Sequence, residues 1–122
     1  MKMPISEIAD RYSITRLKKE RVPEKELGDV DLSKELAAYK SELDQYPDIE
    51  NFLERLYRIN GEIWDLESDI RKGKEGQLGL EEVGRRAIEI RGKNKIRVGI
   101  KNEMVALFKE GFEDVKMNHA ST

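Results

Sequence analysis

Residues 49 to 70 carry an unbroken apolar heptad: Ile49, Phe52, Leu56, Ile59, Ile63, Leu66 and Ile70 are separated alternately by three and four residues. Side chains at those spacings stand on one helical face, and a repeat averaging 3.5 residues keeps that face turned toward a partner helix. The chain therefore has to bury a long helical seam, which points to an all-α architecture. At 122 residues it is expected to form a single helical domain over 1–122, with the tail 113–122 flexible.

Other helices follow from local signals. Pro4 suits the first turn of a helix, and Ile5, Ile8, Tyr12 and Leu17 supply an apolar face, so a first helix is predicted over residues 4–22. Pro23 and Gly28 punctuate the next stretch. Asp31 is then a plausible N-cap for a helix with Leu32, Leu36, Tyr39, Leu43 and Tyr46 at helical spacing, ending at Pro47. Asp48 is placed to cap the heptad helix, which should run to Lys72 before a Lys-Gly-Lys-Glu-Gly loop.

Residues 79–109 are ambiguous. Ala87 to Arg91 and Lys95 to Lys101 alternate apolar and polar around Gly-Lys-Asn-Lys, which taken locally is a β-hairpin. A helix fits the longer window better. Leu80, Val83, Ala87, Ile90 and Val98 form one stripe, while Ile96, Ile100, Met104 and Leu107 form a second. Gly84, Gly92 and Gly99 each lower helix propensity by about 1 kcal/mol relative to alanine, so tertiary contacts or close helix approach would have to compensate.

Composition narrows the chemistry. Absence of cysteine removes disulfides, thiolate catalysis and thiolate metal sites together. The balance of 23 basic against 25 acidic residues argues against a generally cationic nucleic-acid binder. No apolar run approaches the roughly 18 residues of a membrane helix, and the opening lacks a signal-peptide core. A soluble, cytoplasmic chain with no membrane partner is expected.

Several residue groups invite a functional reading. Glu62 and Asp65, on adjacent helical turns, have a spacing that can hold Mg²⁺ in helical pyrophosphohydrolases. The facing acidic motif such enzymes need is missing: Glu35, Glu42 and Asp44 lack its tight pattern, and Arg85 interrupts the run begun by Glu81 and Glu82. No metal and no cofactor are therefore expected. The one histidine, His119, sits near the end of the chain and suits a solvated side chain. In the basic run from Arg85 to Lys101, Arg86, Lys93, Arg97 and Lys101 cluster on one side of a helix. They suit either a polyanion or pairing with the acidic heptad helix, and the run has no aromatic residue to stack on bases. Asn60 beside the seam and Asn94 on the last helix would lie near Glu67, Arg97 and Lys101 if the two helices pack antiparallel. These five residues form a hypothetical ligand-binding cluster, whose bland alternative is register fixing. Trp64 beside the seam reads as core or interface filler.

Three short stretches resemble a family of small, all-helical bacterial proteins of unknown function, some encoded near glycosyltransferases. The opening is Glu7-Ile8-Ala9-Asp10-Arg11-Tyr12-Ser13-Ile14. The middle stretch is Asn60 followed by Ile63-Trp64-Asp65-Leu66-Glu67-Ser68-Asp69-Ile70-Arg71. The later one is Asn94-Lys95-Ile96-Arg97 with Lys101-Asn102, before an ending at Glu113-Asp114-Val115-Lys116. The resemblance implies a long helical hairpin with additional packed helices and implies no activity. Gly92, Gly99 and the terminal Met117-Asn118-His119 depart from the family pattern.

The expected architecture is thus all-α, a long antiparallel, coiled-coil-like hairpin with one or two further helices. The leading expectation for function is a non-enzymatic interaction or assembly module that self-associates as a homo-oligomer or takes a protein partner, because a chain this short cannot be assumed to cover its whole seam internally. The alternative is a small helical enzyme or ligand-binding protein for a phosphorylated or nucleotide-sugar ligand. In it Arg97 and Lys101 would hold anionic groups, with Glu67 or Asp69 as acid, base or metal ligand. Nucleic-acid binding through residues 85–101 comes third.

Overall fold

Every regular element is helical in the computed structural model, which describes residues 3–28, 30–71 and 75–108, with side chains outside 69–78. Five helices are described: α1 (Ile5–Arg21), α2 (Glu24–Leu27), α3 (Leu32–Leu43), α4 (Ile49–Arg71) and α5 (Glu75–Phe108). The helical alternative for 79–109 therefore holds over the hairpin. His119, the tail 113–122 and the Phe112 to Lys116 stretch lie outside the described residues, as do the side chains of Asp69 and Ile70.

Local chemistry sets the ends. Pro4 stands at the N-cap of α1, and the Asp31 side chain accepts a hydrogen bond from the Lys34 N–H at 3.2 Å, capping α3 as expected. α3 stops at Leu43 rather than reaching Pro47, the last turn being replaced by a turn in which the Tyr46 N–H bonds the Leu43 carbonyl. Short α2, between Pro23 and Gly28, was not anticipated; Pro23 starts it, and Gly28, at φ 64°, ψ −127°, ends it in a conformation that suits glycine. Gly79 (φ 83°, ψ 156°) likewise breaks α5 near its start, so the long continuous part begins at Leu80.

Partners at opposite ends define the hairpin. Phe52 and Arg55, early in α4, meet Phe108 and Glu103, late in α5, while Glu62, later in α4, meets Lys93, earlier in α5. α4 and α5 are therefore antiparallel. α1 packs against both of them and against α3, which runs antiparallel to it through Thr15–Glu35 and Lys19–Ser33 contacts. The seam is the spine of the core: Ile49, Phe52, Leu56, Ile59 and Ile63 are buried, joined by Leu53, with Ile5, Ile8 and Ala9 from α1 and Ile100 and Met104 from α5. From Ile49 to Ile63 it is covered internally, and Leu66 is half-buried, so that stretch is not the surface that remains for a partner.

α5 departs most from expectation. Only Ile100 and Met104 of its two stripes are buried, whereas Leu80, Ile96, Val98 and Leu107 are more than half exposed. Close helix approach does not explain its glycines either, since a Cβ built at Gly84, Gly92 or Gly99 meets nothing within 4 Å. Compensation comes instead from the inner face, through Ile100, Met104 and ion pairs to α1 and α4. Among the described residues no helix is long and apolar enough to cross a membrane.

Two changes test this packing by urea unfolding. Leu56→Ala, in the middle of the spine, is expected to cost about 2–5 kcal/mol. Gly99→Ala, with open space around its Cβ, is expected to stabilise dilute protein by up to about 1 kcal/mol. Loss of stability for Gly99→Ala would contradict the placement of that position on an open face.

Candidate functional site: a buried ionic network and its cleft

α1 is largely hydrophilic yet lies between three other helices, and small residues make this feasible. Ser6, Ala9 and Ser13 are buried on it, and across from it Gly61 of α4 is buried, where an added Cβ would come within 3.7 Å of Leu17. That close approach brings Asp10, only 2% exposed, into the interface. A buried carboxylate is tolerated only when charge and hydrogen bonds compensate for lost water.

The compensation comes from three side chains, Arg97, Asn60 and Lys101, with Ser13 and Asn94 bracing them. Arg97 of α5 reaches Asp10 in a bidentate fork, Nε to Oδ1 at 3.0 Å and Nη2 to Oδ2 at 2.5 Å. Asn60 of α4 donates through Nδ2 to Asp10 Oδ1 at 3.0 Å and to Ser13 Oγ at 2.7 Å. The Ser13 hydroxyl donates back to the Asp10 carbonyl at 2.8 Å. Lys101 Nζ stands 3.8 Å from Asp10 Oδ2 and 2.5 Å from Glu7 Oε2. Finally Arg97 Nη1 donates to Asn94 Oδ1 at 3.3 Å. Among the described residues no buried side-chain nitrogen or oxygen lacks a partner.

Electrostatics at Asp10 is a contest that the cations win. Burial pushes its carboxyl up, but hydrogen bonds from Arg97 and Asn60, with the charges of Arg97 and Lys101, hold it below the usual carboxylate range. Asp10 is thus ionised in the folded protein at neutral pH. Its hydrogen bond also raises the Arg97 guanidinium further, against the opposing effect of burial, with smaller contributions from the charges of Asp10, Glu7 and Glu67.

Of the five residues assigned from sequence, Asn60, Arg97 and Lys101 converge directly, and Asn94 joins through Arg97. Glu67 lines an adjoining cleft of about 350 Å³ with Trp64, Ile14, Leu17 and Ile63, beside Asn60, Asn94 and Arg97, and its charge acts on the Arg97 guanidinium. Trp64 is thus a half-buried wall rather than closed core. The hub itself, Asp10, was not among the assigned residues, nor were Glu7 and Ser13. A signal existed, because Ser6, Asp10, Ser13 and Leu17 repeat at i, i+4, i+7 and i+11 and so share a face. The basic run pairs more widely than with the heptad helix alone: Lys93 goes to Glu62 of α4, but Arg97 and Lys101 go to α1 and Arg86 to Glu82 within α5. The acidic candidates are similarly engaged, Glu62 by Lys93, Asp65 by Arg21 and Glu35 by Thr15. Among the described residues no group of three or more His, Asp or Glu side chains is placed to hold a metal ion.

Fold and site define an all-α protein built on a two-helix hairpin, clamped to α1 by a buried ionic network. No family model, curated protein or solved structure matches the chain. Three separate stretches of the chain contribute to this network: Glu7, Asp10 and Ser13 from α1, Asn60 from α4, and Asn94, Arg97 and Lys101 from α5.

Removing the hub alone is expected to be severe. Asp10→Ala would leave Arg97 and Lys101 facing a site without its countercharge, at a cost of about 3–5 kcal/mol in urea unfolding at pH 7. With its folded pKa depressed, Asp10 contributes stability that is full above the ordinary carboxylate value and is lost as pH falls through the folded value. Acid unfolding curves of wild type and Asp10→Asn should therefore converge toward low pH. A gap that stays constant from neutral to acid pH would contradict the ionised hub.

Proposed function

We propose that the chain is a helical interaction and assembly module whose docking surface is the outer face of α5, self-association through that face included. The observation that carries this reading is the exposure of large apolar side chains on one helix: Leu80 at 89%, Ile88 at 66% and Ile96, Val98 and Leu107 at more than half. Scattered single apolar residues are ordinary on a surface, but several on one helix beside open glycines resemble a face awaiting another helix. Coiled-coil-like pairing at that face and a cytoplasmic setting belong to the same reading, the latter supported by the cysteine-free sequence.

A second reading keeps a small ligand, phosphorylated or nucleotide-linked, in the cleft beside Trp64 and Arg97, and the cleft's volume favours it. Charge does not. Around it Glu7, Asp10 and Glu67 set three carboxylates against Arg97 and Lys101, both of which are already paired. Nucleic-acid binding has less support still, because Arg86, Lys93, Arg97 and Lys101 all have carboxylate partners.

Sedimentation equilibrium tests the leading reading. Wild type is expected to self-associate weakly, with a dissociation constant on the order of 0.1–1 mM. The Ile88→Glu, Ile96→Glu double variant should stay monomeric with unchanged helicity, since exposed substitutions of this kind shift stability by only about 0.5 kcal/mol each. Equal association of the two proteins would remove α5 from the interface.

A further inference from the structure

We infer that the outer face of α5 is a groove for an acidic amphipathic helix, a partner helix whose apolar stripe is flanked by Asp or Glu. The inference rests on the interaction-module reading above and names its partner by chemistry.

The floor of the groove is apolar and low. Ile88, Gly92, Ile96 and Gly99 lie along one side of α5, and nothing stands within 4 Å of a Cβ at either glycine. Glycines at such points let a second backbone approach closely while the isoleucines fill the gaps of the incoming helix. Toward α4 the floor continues into a groove of about 190 Å³ formed by Ile59, Ile96 and Ile100. It thus offers the i, i+4, i+7 layout that helix-in-groove recognition uses.

Cations stand on both rims. Arg55 and Arg58 line the α4 side, and Arg91 and Lys95, three and seven residues after Ile88 and so on its own side of the helix, stand exposed along the edge of the floor away from Ile96. Most acidic side chains nearby are already engaged: Glu103 by Arg55, Glu62 by Lys93, Glu89 by Arg85, and Glu82 by Arg85 and Arg86, which hold its carboxyl down at about 2; Glu81, seven residues before Ile88, is the exposed exception. Arg58, Arg91 and Lys95 have no ion pair among the described residues. The face therefore presents an excess of unpaired positive charge around an apolar stripe.

That excess selects among occupants. A second copy docking α5 on α5 would bring Arg91 and Lys95 of one chain close to the same residues of the other, a like-charge contact that works against the apolar gain. A polyanion would satisfy the cations but set its phosphates over isoleucines. Only a helix that is apolar at its centre and acidic at its edges satisfies floor and rims together.

The test uses two designed helical peptides of about 21 residues, identical in their leucine and alanine stripe but flanked by glutamate in one and lysine in the other, titrated into the full-length protein. The glutamate peptide is expected to bind at least tenfold more tightly than the lysine peptide, with affinity falling as salt rises. Charge reversal by Arg91→Glu with Lys95→Glu should invert that preference, and Ile88→Glu should abolish binding of both. Circular dichroism of each variant confirms that the fold is kept. Equal binding of the two peptides, or a preference untouched by the reversal, overturns the acidic partner while leaving the docking face in place. Self-association tighter than glutamate-peptide binding overturns it in favour of a second copy, and tighter binding of a short mixed-sequence DNA duplex overturns it in favour of a polyanion. Absence of all binding, with no self-association, removes the interaction-module reading itself.

Discussion

A carboxylate with almost no access to water sits where three helices meet, and the placement of those helices follows from what it requires. Asp10 on α1 needs hydrogen-bond donors and countercharge, and it draws Asn60 from α4 and Arg97 with Lys101 from α5. Ile5, Ile8 and Leu17 anchor α1 in the core, but around Asp10 its buried face carries the small Ser6, Ala9 and Ser13, which by themselves fix rotation and offset only loosely. A bidentate guanidinium fork and a bifurcated amide have far fewer acceptable geometries. The network therefore selects one docking of α1 on the hairpin, while the α4 spine supplies the largest share of the buried apolar core.

The same arrangement sorts the charges of α5 by side. On its inner side Lys93, Arg97 and Lys101 are matched to carboxylates of α4 and α1, which neutralises much of the basic run 85–101 within the fold. Arg91 and Lys95 on its outer side are left facing water beside Ile88 and Ile96. α5 thus carries apolar side chains on both sides, Ile100 and Met104 inside with the ion pairs and Ile88 and Ile96 outside, and the outer pair is what gives that face its character as a docking surface.

How much of this was legible in the sequence differs by element. The heptad from Ile49 to Ile63 was, because burial of a spine depends on spacing and little else. Asp31 as a cap and Pro4 as a helix start were equally local and equally plain. α5 was legible as a helix but not in its orientation: its isoleucines suggest that Ile96 and Val98 should be inside, yet the inner side is chosen by ion pairs that only the third dimension reveals. Asp10 escaped for a related reason. An aspartate on an amphipathic helix usually belongs to its wet face, and only the small residues around it, Ser6 and Ser13, hinted that another helix comes close. The assigned residues nevertheless gathered, Asn60, Asn94, Arg97 and Lys101 in the network and Glu67 in the cleft beside it, since antiparallel pairing of α4 and α5 was enough to bring Asn60 level with Asn94 and Arg97.

The central claim is that Asp10 and Arg97 act as one unit holding α1 on the hairpin. A double-mutant cycle measures it: urea unfolding of wild type, Asp10→Ala, Arg97→Ala and the double variant at neutral pH and moderate salt. Removal of either partner leaves the other poorly compensated, so the double variant should be far less destabilised than the sum of the singles, with a coupling of about 2–3 kcal/mol. Single effects that add to within about 0.5 kcal/mol would contradict the account.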